Sequence, residues 1–274
     1  MEDFFAHPAV QAGVAPFVVA LVVVALLHRL RLGGLAVVAA FLTTYYLVAG
    51  FTFSPLTATR KIALLAIAAP VVGMLADFAF KPTRMGAVVL ALAGAAGALW
   101  AFYPVLSHKA AAEAWLMGAS ALVSVAWAVG FSQAALSVQP VRAGAAGLAL
   151  GLGVGIAAIF GASATYGSDA IALGAASGAF LLPQMISGKK SFAGSTFTLS
   201  VTLTAGLLAA GAMILARLPW YAVPVLALVP VATRLPVPEK APLWLQAVLL
   251  SLYGFIVAGV ACYISWTFPG AATG

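Results

Sequence analysis

The sequence predicts an all-α fold: a polytopic integral membrane bundle of about ten transmembrane helices. Three observations predict it. Hydrophobic residues fill 64% of the 274 positions and charged residues only 7%, far from the composition of soluble domains. The mean hydropathy is +1.13. Apolar runs of roughly 20 residues, enough to cross ~30 Å of hydrocarbon at ~1.5 Å per helical residue, recur along the chain between short polar gaps. The 13 Lys+Arg outweigh six Asp+Glu, for a net charge of +7. In a soluble protein this balance would suggest nucleic acid, but here the bases sit between apolar runs, where they set orientation. The expected partner is therefore the lipid bilayer, with no nucleic acid.

The first run, 9 to 27, follows MEDFFAHP, which has two acids and no Lys or Arg. It is too long for the hydrophobic region of a signal peptide and lacks the positive flank, so it is expected to be an uncleaved span. The second, 34 to 52, carries Thr43, Thr44, Tyr45 and Tyr46 near its middle. The third, 62 to 80, contains Pro70 and ends just beyond Asp77; the fourth covers 85 to 106. The fifth, 114 to 138, holds Ser132 and Gln133, and the sixth, 143 to 163, the run GAAGLALGLGVG. The seventh, 169 to 187, contains Gly174, Gly178, Pro183 and Gln184.

The eighth, 196 to 216, opens with STFTLSVTLTAG, whose period-two alternation would indicate a strand in a soluble protein. An isolated strand leaves its backbone unsatisfied in lipid, so a helix is expected. The ninth, 219 to 233, is short and interrupted by Pro224 and Pro230. If it fails to cross, the spans number nine and the C-terminus changes sides. The tenth, 242 to 267, holds the lone Cys262, expected to be a packed thiol since no intrachain disulfide can form.

Placing the N-terminus outside puts Arg29, Arg31, Lys81, Arg84, Arg142, Lys189, Lys190, Arg234 and Lys240 on the cytoplasmic side, and Arg60, Lys61, Lys109 and Arg217 outside. This nine-to-four split predicts both termini outside, in what is expected to be a bacterial inner membrane. Glu113 and Asp169 fall in external gaps on this assignment, which leaves Asp77 as the only acid within a span. Trp100, Tyr103, Trp115, Trp220 and Trp244 lie near span ends, as in interfacial belts. No gap exceeds about a dozen residues, so a single transmembrane domain without a soluble part is expected. Ten spans divide into halves 1–140 and 141–274, and a five-helix repeat would have opposite orientations in the two halves. GGLAVVAAFLTTY and ALGAASGAFLLPQ echo one another at about half the chain length.

Gly147, Gly151 and Gly155, with Gly174 and Gly178 in the next span, are candidate helix-packing positions, because small residues on one face let membrane helices approach closely. The same glycines do not make a dinucleotide loop, which needs a strand before it. SGKKS fails as a phosphate loop because Pro183 stands where the motif requires Gly. Thr43, Thr44, Tyr45 and Tyr46 are candidates for a substrate or ion pathway, since tyrosines at mid-depth need polar partners. Gln133, Thr198 and Thr202 are further candidates; the competing reading has the hydroxyls bonding to their own helix.

Asp77 is either a coupling acid or a boundary charge paired with Lys81 four residues on. It lies about 4.5 Å inside the span's end by helical rise, a depth that favours the ion pair. His7, His28 and His108 are far apart, so neither metal nor another cofactor is expected. No nucleophile, base and acid set assembles within a span, so an enzyme is not expected. Two functions remain: a permease moving a small molecule between the two halves, or a non-catalytic subunit or assembly protein that binds a membrane partner, or a second copy of itself, through its glycine-rich faces.

Overall fold

A computed structural model describes residues 7–51, 54–80, 82–238 and 240–268, and all the regular structure among them is helical. Ten helices follow one another: α1 (Val10–Leu30), α2 (Leu35–Ala49), α3 (Ala58–Ala79), α4 (Arg84–Leu106), α5 (Ala111–Ala135), α6 (Pro140–Phe160), α7 (Ala164–Ser187), α8 (Gly194–Leu215), α9 (Ala222–Ala232) and α10 (Leu243–Thr267). Eight of these, all but α2 and α9, are long and apolar enough to cross a membrane. The chain is an all-α membrane bundle.

Local chemistry sets the ends. Thr57, Thr83 and Ser163 each accept a backbone N–H with the side chain, starting α3, α4 and α7. Pro140 opens α6, where its missing N–H costs nothing. Gly188 closes α7 with φ of +64°, a left-handed cap that suits a residue without Cβ. Two of these starts differ from expectation. α3 begins at Ala58, so Thr59, Arg60 and Lys61 join its first turn, and α7 begins at Ala164, which draws Asp169 out of the expected external gap and into the helix. Asp77 is thus not the only acid within a span.

α8 is the axis of the bundle, with twenty of its 22 residues buried, from Gly194 to Ile214. α3 packs along one side of it and α5 along another, with α6 and α7 closing the rest. The most extensive helix–helix contact is that of α6 with α7. Gly147 faces Ser177, Gly151 faces the backbone of Gly174, and Gly155 faces Ile171 and the carbonyl of Gly167. A Cβ on Gly151 would lie 2.7 Å from the Gly174 Cα. The two backbones are therefore in direct van der Waals contact within one chain, where small residues replace the hydrophobic drive that lipid cannot supply. Gly178 is looser, its nearest neighbour being Leu148 at 3.7 Å.

The ninth segment is broken into Ala222–Ala227 and Val229–Ala232, meeting at Leu228. It nonetheless carries the chain from one end of the bundle to the other. The Arg217 N–H bonds to the Gly161 carbonyl after α6, whereas Arg142 at the start of α6 donates to the carbonyls of Thr233 and Leu235. α2 against α7 and α3 against α8 are the contacts that an exchange of halves would map onto themselves, while the extensive α6–α10 contact has no counterpart of similar extent between α1 and α5.

Candidate functional site

The buried N-terminus of α8 presents backbone N–H groups that no side chain of its own caps, and in an apolar interior such donors must find an acceptor. Asp77 supplies it from α3. Its Oδ1 accepts from the Ser195 N–H at 2.6 Å, and its Oδ2 from the Thr196 N–H at 2.8 Å and the Thr196 hydroxyl at 2.7 Å. The carboxylate also meets the positive end of the helix dipole, a stabilising arrangement.

Two glycines make room for this contact. Gly73, one turn before Asp77, lies where a Cβ would come 2.6 Å from the Thr196 Cα, and Gly194, at φ of +62°, lies where a Cβ would strike the carboxylate itself. The Gly194 N–H in turn bonds to the Ser137 carbonyl at 3.0 Å, tying in the end of α5. Asp77 is therefore a cap supplied by one helix to another, 118 residues away in sequence. Lys81, the expected partner, lies outside the described residues.

Beside this cap, α3 and α4 diverge. α3 packs on α8 and α4 on α5, but α3 and α4 touch only sparsely. The space between the two pairs is a cleft of about 580 Å³. Asp77, Ser195, Gln133, Ser137 and Arg31 are the main polar residues of its lining, and Val72, Leu75, Val89 and Phe192 are among the apolar ones. The Arg31 guanidinium lies over the Phe192 ring, 5.6 Å from its centroid. Val72, Leu75 and Val89 are exposed on the outside of the bundle, so the cleft opens laterally as well as at the end bearing Arg31. Gln133 is fixed by donating to the Thr198 hydroxyl at 2.8 Å, and Thr198 donates to the Gly194 carbonyl at 2.8 Å. Such a pocket, mostly apolar with a few converging polar groups, has the character of a small-molecule site.

The other sequence-derived candidates lie elsewhere. Thr43 bonds to the Ala39 carbonyl and Thr202 to the Thr198 carbonyl, each within its own helix. Thr44 crosses to α1, donating to the Gln11 carbonyl at 2.7 Å. Tyr45 is buried and stacked on Phe41. Tyr46, adjacent in sequence, is 58% exposed and packs on Phe51. None of these four residues of α2 lines the cleft.

Asp169 is a polar residue that the span assignment missed. It is 1% exposed, on α7 near the opposite end of the bundle from the cleft. Ser163, whose side chain accepts the Tyr166 N–H, is the sequence signal for the earlier helix start that buries it. No group of three or more His, Cys, Asp or Glu able to hold a metal ion occurs among the described residues. No protein-family model matches the chain, and no curated protein matches it.

Proposed function

We propose that the protein is a permease-like, non-enzymatic membrane protein that binds a small molecule in the cleft between α3, α4, α5 and α8. The observation that carries this reading is the cleft itself, where Asp77 and Gln133 converge from different helices onto one cavity of about 580 Å³. The cleft has walls from both halves of the chain, α3 to α5 from the first and the start of α8 from the second, as a substrate site between repeats would. The sparse α3–α4 contact separates two well-packed pairs, α3 with α8 and α4 with α5. Rocking one pair against the other would close the cleft at one end and open it at the other. With the N-terminus outside in a bacterial inner membrane, the cleft faces the cytoplasm, because the end bearing Arg31 and Arg84 carries eight of the 12 Lys and Arg among the described residues.

The test uses Cys262→Ser with a single cysteine introduced by Ala76→Cys in the cleft wall. A membrane-impermeant maleimide should label it from the cytoplasmic face of inverted vesicles. In an alternating protein a slower labelling from the outside should also appear, and a transported solute found by screening proteoliposomes should change the ratio of the two. One-sided labelling that no solute alters, together with a membrane partner recovered in fixed stoichiometry under mild extraction, would sink the permease and favour the non-catalytic subunit.

A further inference from the structure

The hydrogens on the polar side of the cleft are already spoken for. Thr198 has a single hydroxyl hydrogen, and it goes to the Gly194 carbonyl at 2.8 Å. The Gln133 amide, 2.8 Å from that hydroxyl, must then turn its NH2 toward it, which fixes the direction of its other arm, Oε1. Gln133 is 6% exposed, yet Oε1 accepts no hydrogen bond among the described residues. Their enclosed, unpartnered side-chain oxygens belong to Ser124, Ser132 and Asp169. The Gln133 Oε1 is therefore open to a space, and the cleft is the space that Gln133 lines.

Ser137, also of the lining, spends its one hydrogen on the Gln133 backbone carbonyl at 2.7 Å. Its hydroxyl oxygen keeps only lone pairs. The Asp77 carboxylate is acceptor-only, with about four lone-pair sites, of which three are filled by Ser195 and Thr196. No cation among the described residues pairs with it, since the one salt bridge they contain joins Lys109 to Glu113. Arg31 and Thr83 stand beyond the helix ends, after α1 and before α4, and both are exposed. Ser195 has a hydroxyl that can turn either way. The side chains of Asp77, Gln133 and Ser137 thus bring acceptors and a negative charge without a cationic partner, while the rest of the lining is largely apolar.

We propose that the ligand of the cleft is an amphiphilic organic cation with N–H donors on its charged head, a protonated amine or a guanidinium, and an apolar body lying between α3 and α4. The proposal rests on the reading of the cleft as a small-molecule site. The head gives its N–H groups to Gln133 Oε1, Ser137 Oγ and the remaining site on Asp77, charge-assisted bonds that a carboxylate or phosphate head cannot make. An anion would meet the Asp77 charge and a wall made chiefly of acceptors. An uncharged alcohol brings one donor for three acceptors.

The full chain carrying Cys262→Ser and Ala76→Cys, in lipid nanodiscs, tests this by protection of the introduced cysteine from the impermeant maleimide. Four probes share one apolar body: phenylbutylamine, phenylbutyltrimethylammonium, phenylbutanol and phenylbutyrate. The amine should protect at about tenfold lower concentration than the trimethylammonium ion or the alcohol, the worth of a hydrogen bond to a charged group, and phenylbutyrate should not protect. Gln133→Leu should raise the amine concentration required about tenfold and leave that of the trimethylammonium ion unchanged, a contrast that general loosening of the cleft would not produce. Equal protection by amine and alcohol, or stronger protection by phenylbutyrate, overturns the proposal and leaves the cleft as a site for another class of molecule. Protection by none of the four also overturns it, while two-sided labelling decides the permease reading separately. If Gln133→Leu does not fold, the amine and the trimethylammonium ion decide between them, because they share a charge and differ in donors, and equal protection by these two overturns the proposal.

Discussion

Two aspartates meet the same difficulty, a carboxyl in an apolar bundle, with opposite solutions. Asp77 accepts three hydrogen bonds at the head of α8, whereas Asp169 leaves Oδ1 without a partner. Removing the Asp77 carboxylate leaves buried donors unsatisfied, so Asp77→Ala should destabilise the protein by about 2 kcal/mol or more. Thr196→Val, which removes one hydroxyl donor and leaves both backbone bonds, should cost about 1 kcal/mol. Reversible unfolding in mixed detergent micelles measures both, and equal losses would contradict a cap held mainly by the backbone. Asp77 was legible in the sequence as an isolated acid near a span's end. Its partners were not, because helical spacing directs attention to positions 81 and 84, whereas the donors lie 118 and 119 residues away.

At the scale of the element, glycine spacing and threonine stripes look alike in sequence as polar or small patterns but differ in energetic weight. Gly151 meets the Gly174 backbone, so Gly151→Val would force α6 and α7 apart and should cost about 1–3 kcal/mol or more. Gly178→Ala, with its nearest neighbour at 3.7 Å, should be nearly neutral in the same unfolding measurement. Thr202 returns its hydroxyl to its own helix, so Thr202→Val should change stability by less than about 0.5 kcal/mol. The four-residue glycine period was readable because it is a property of one helix. The α2 candidates were not resolvable in the same way: Tyr45 and Tyr46 are neighbours on the chain, yet one turns inward against Phe41 and the other outward. About 100° of rotation separates successive helical residues, and only the surrounding helices decide which one is interior.

For the whole molecule, the distribution of bases yields a prediction independent of the side-chain contacts. Reporter fusions after Leu106 and after Phe160 should report the periplasm, and fusions after Ala79 and after Ala135 the cytoplasm. The reverse pattern would invert the orientation and place the cleft on the outer face. The ninth segment matters to the same experiment. Although it is broken at Leu228, its ends are tied to Gly161 and Arg142 at opposite ends of the bundle, so a fusion after Arg217 and one after Lys240 should report opposite sides.

The membrane class, the all-α fold, the approximate spans and the small-residue faces are legible in the chain read alone. Each of these follows from composition or from periodicity within one segment, since lipid compels every crossing backbone to satisfy itself. The packing of the helices against one another made α8 the axis, let Asp77 cap it, parted α3 and α4 to leave a cleft, and buried Asp169 with one carboxyl oxygen unpartnered. These are relations between helices distant in sequence. They depend on which faces meet, which helical rise and spacing along a single chain do not encode.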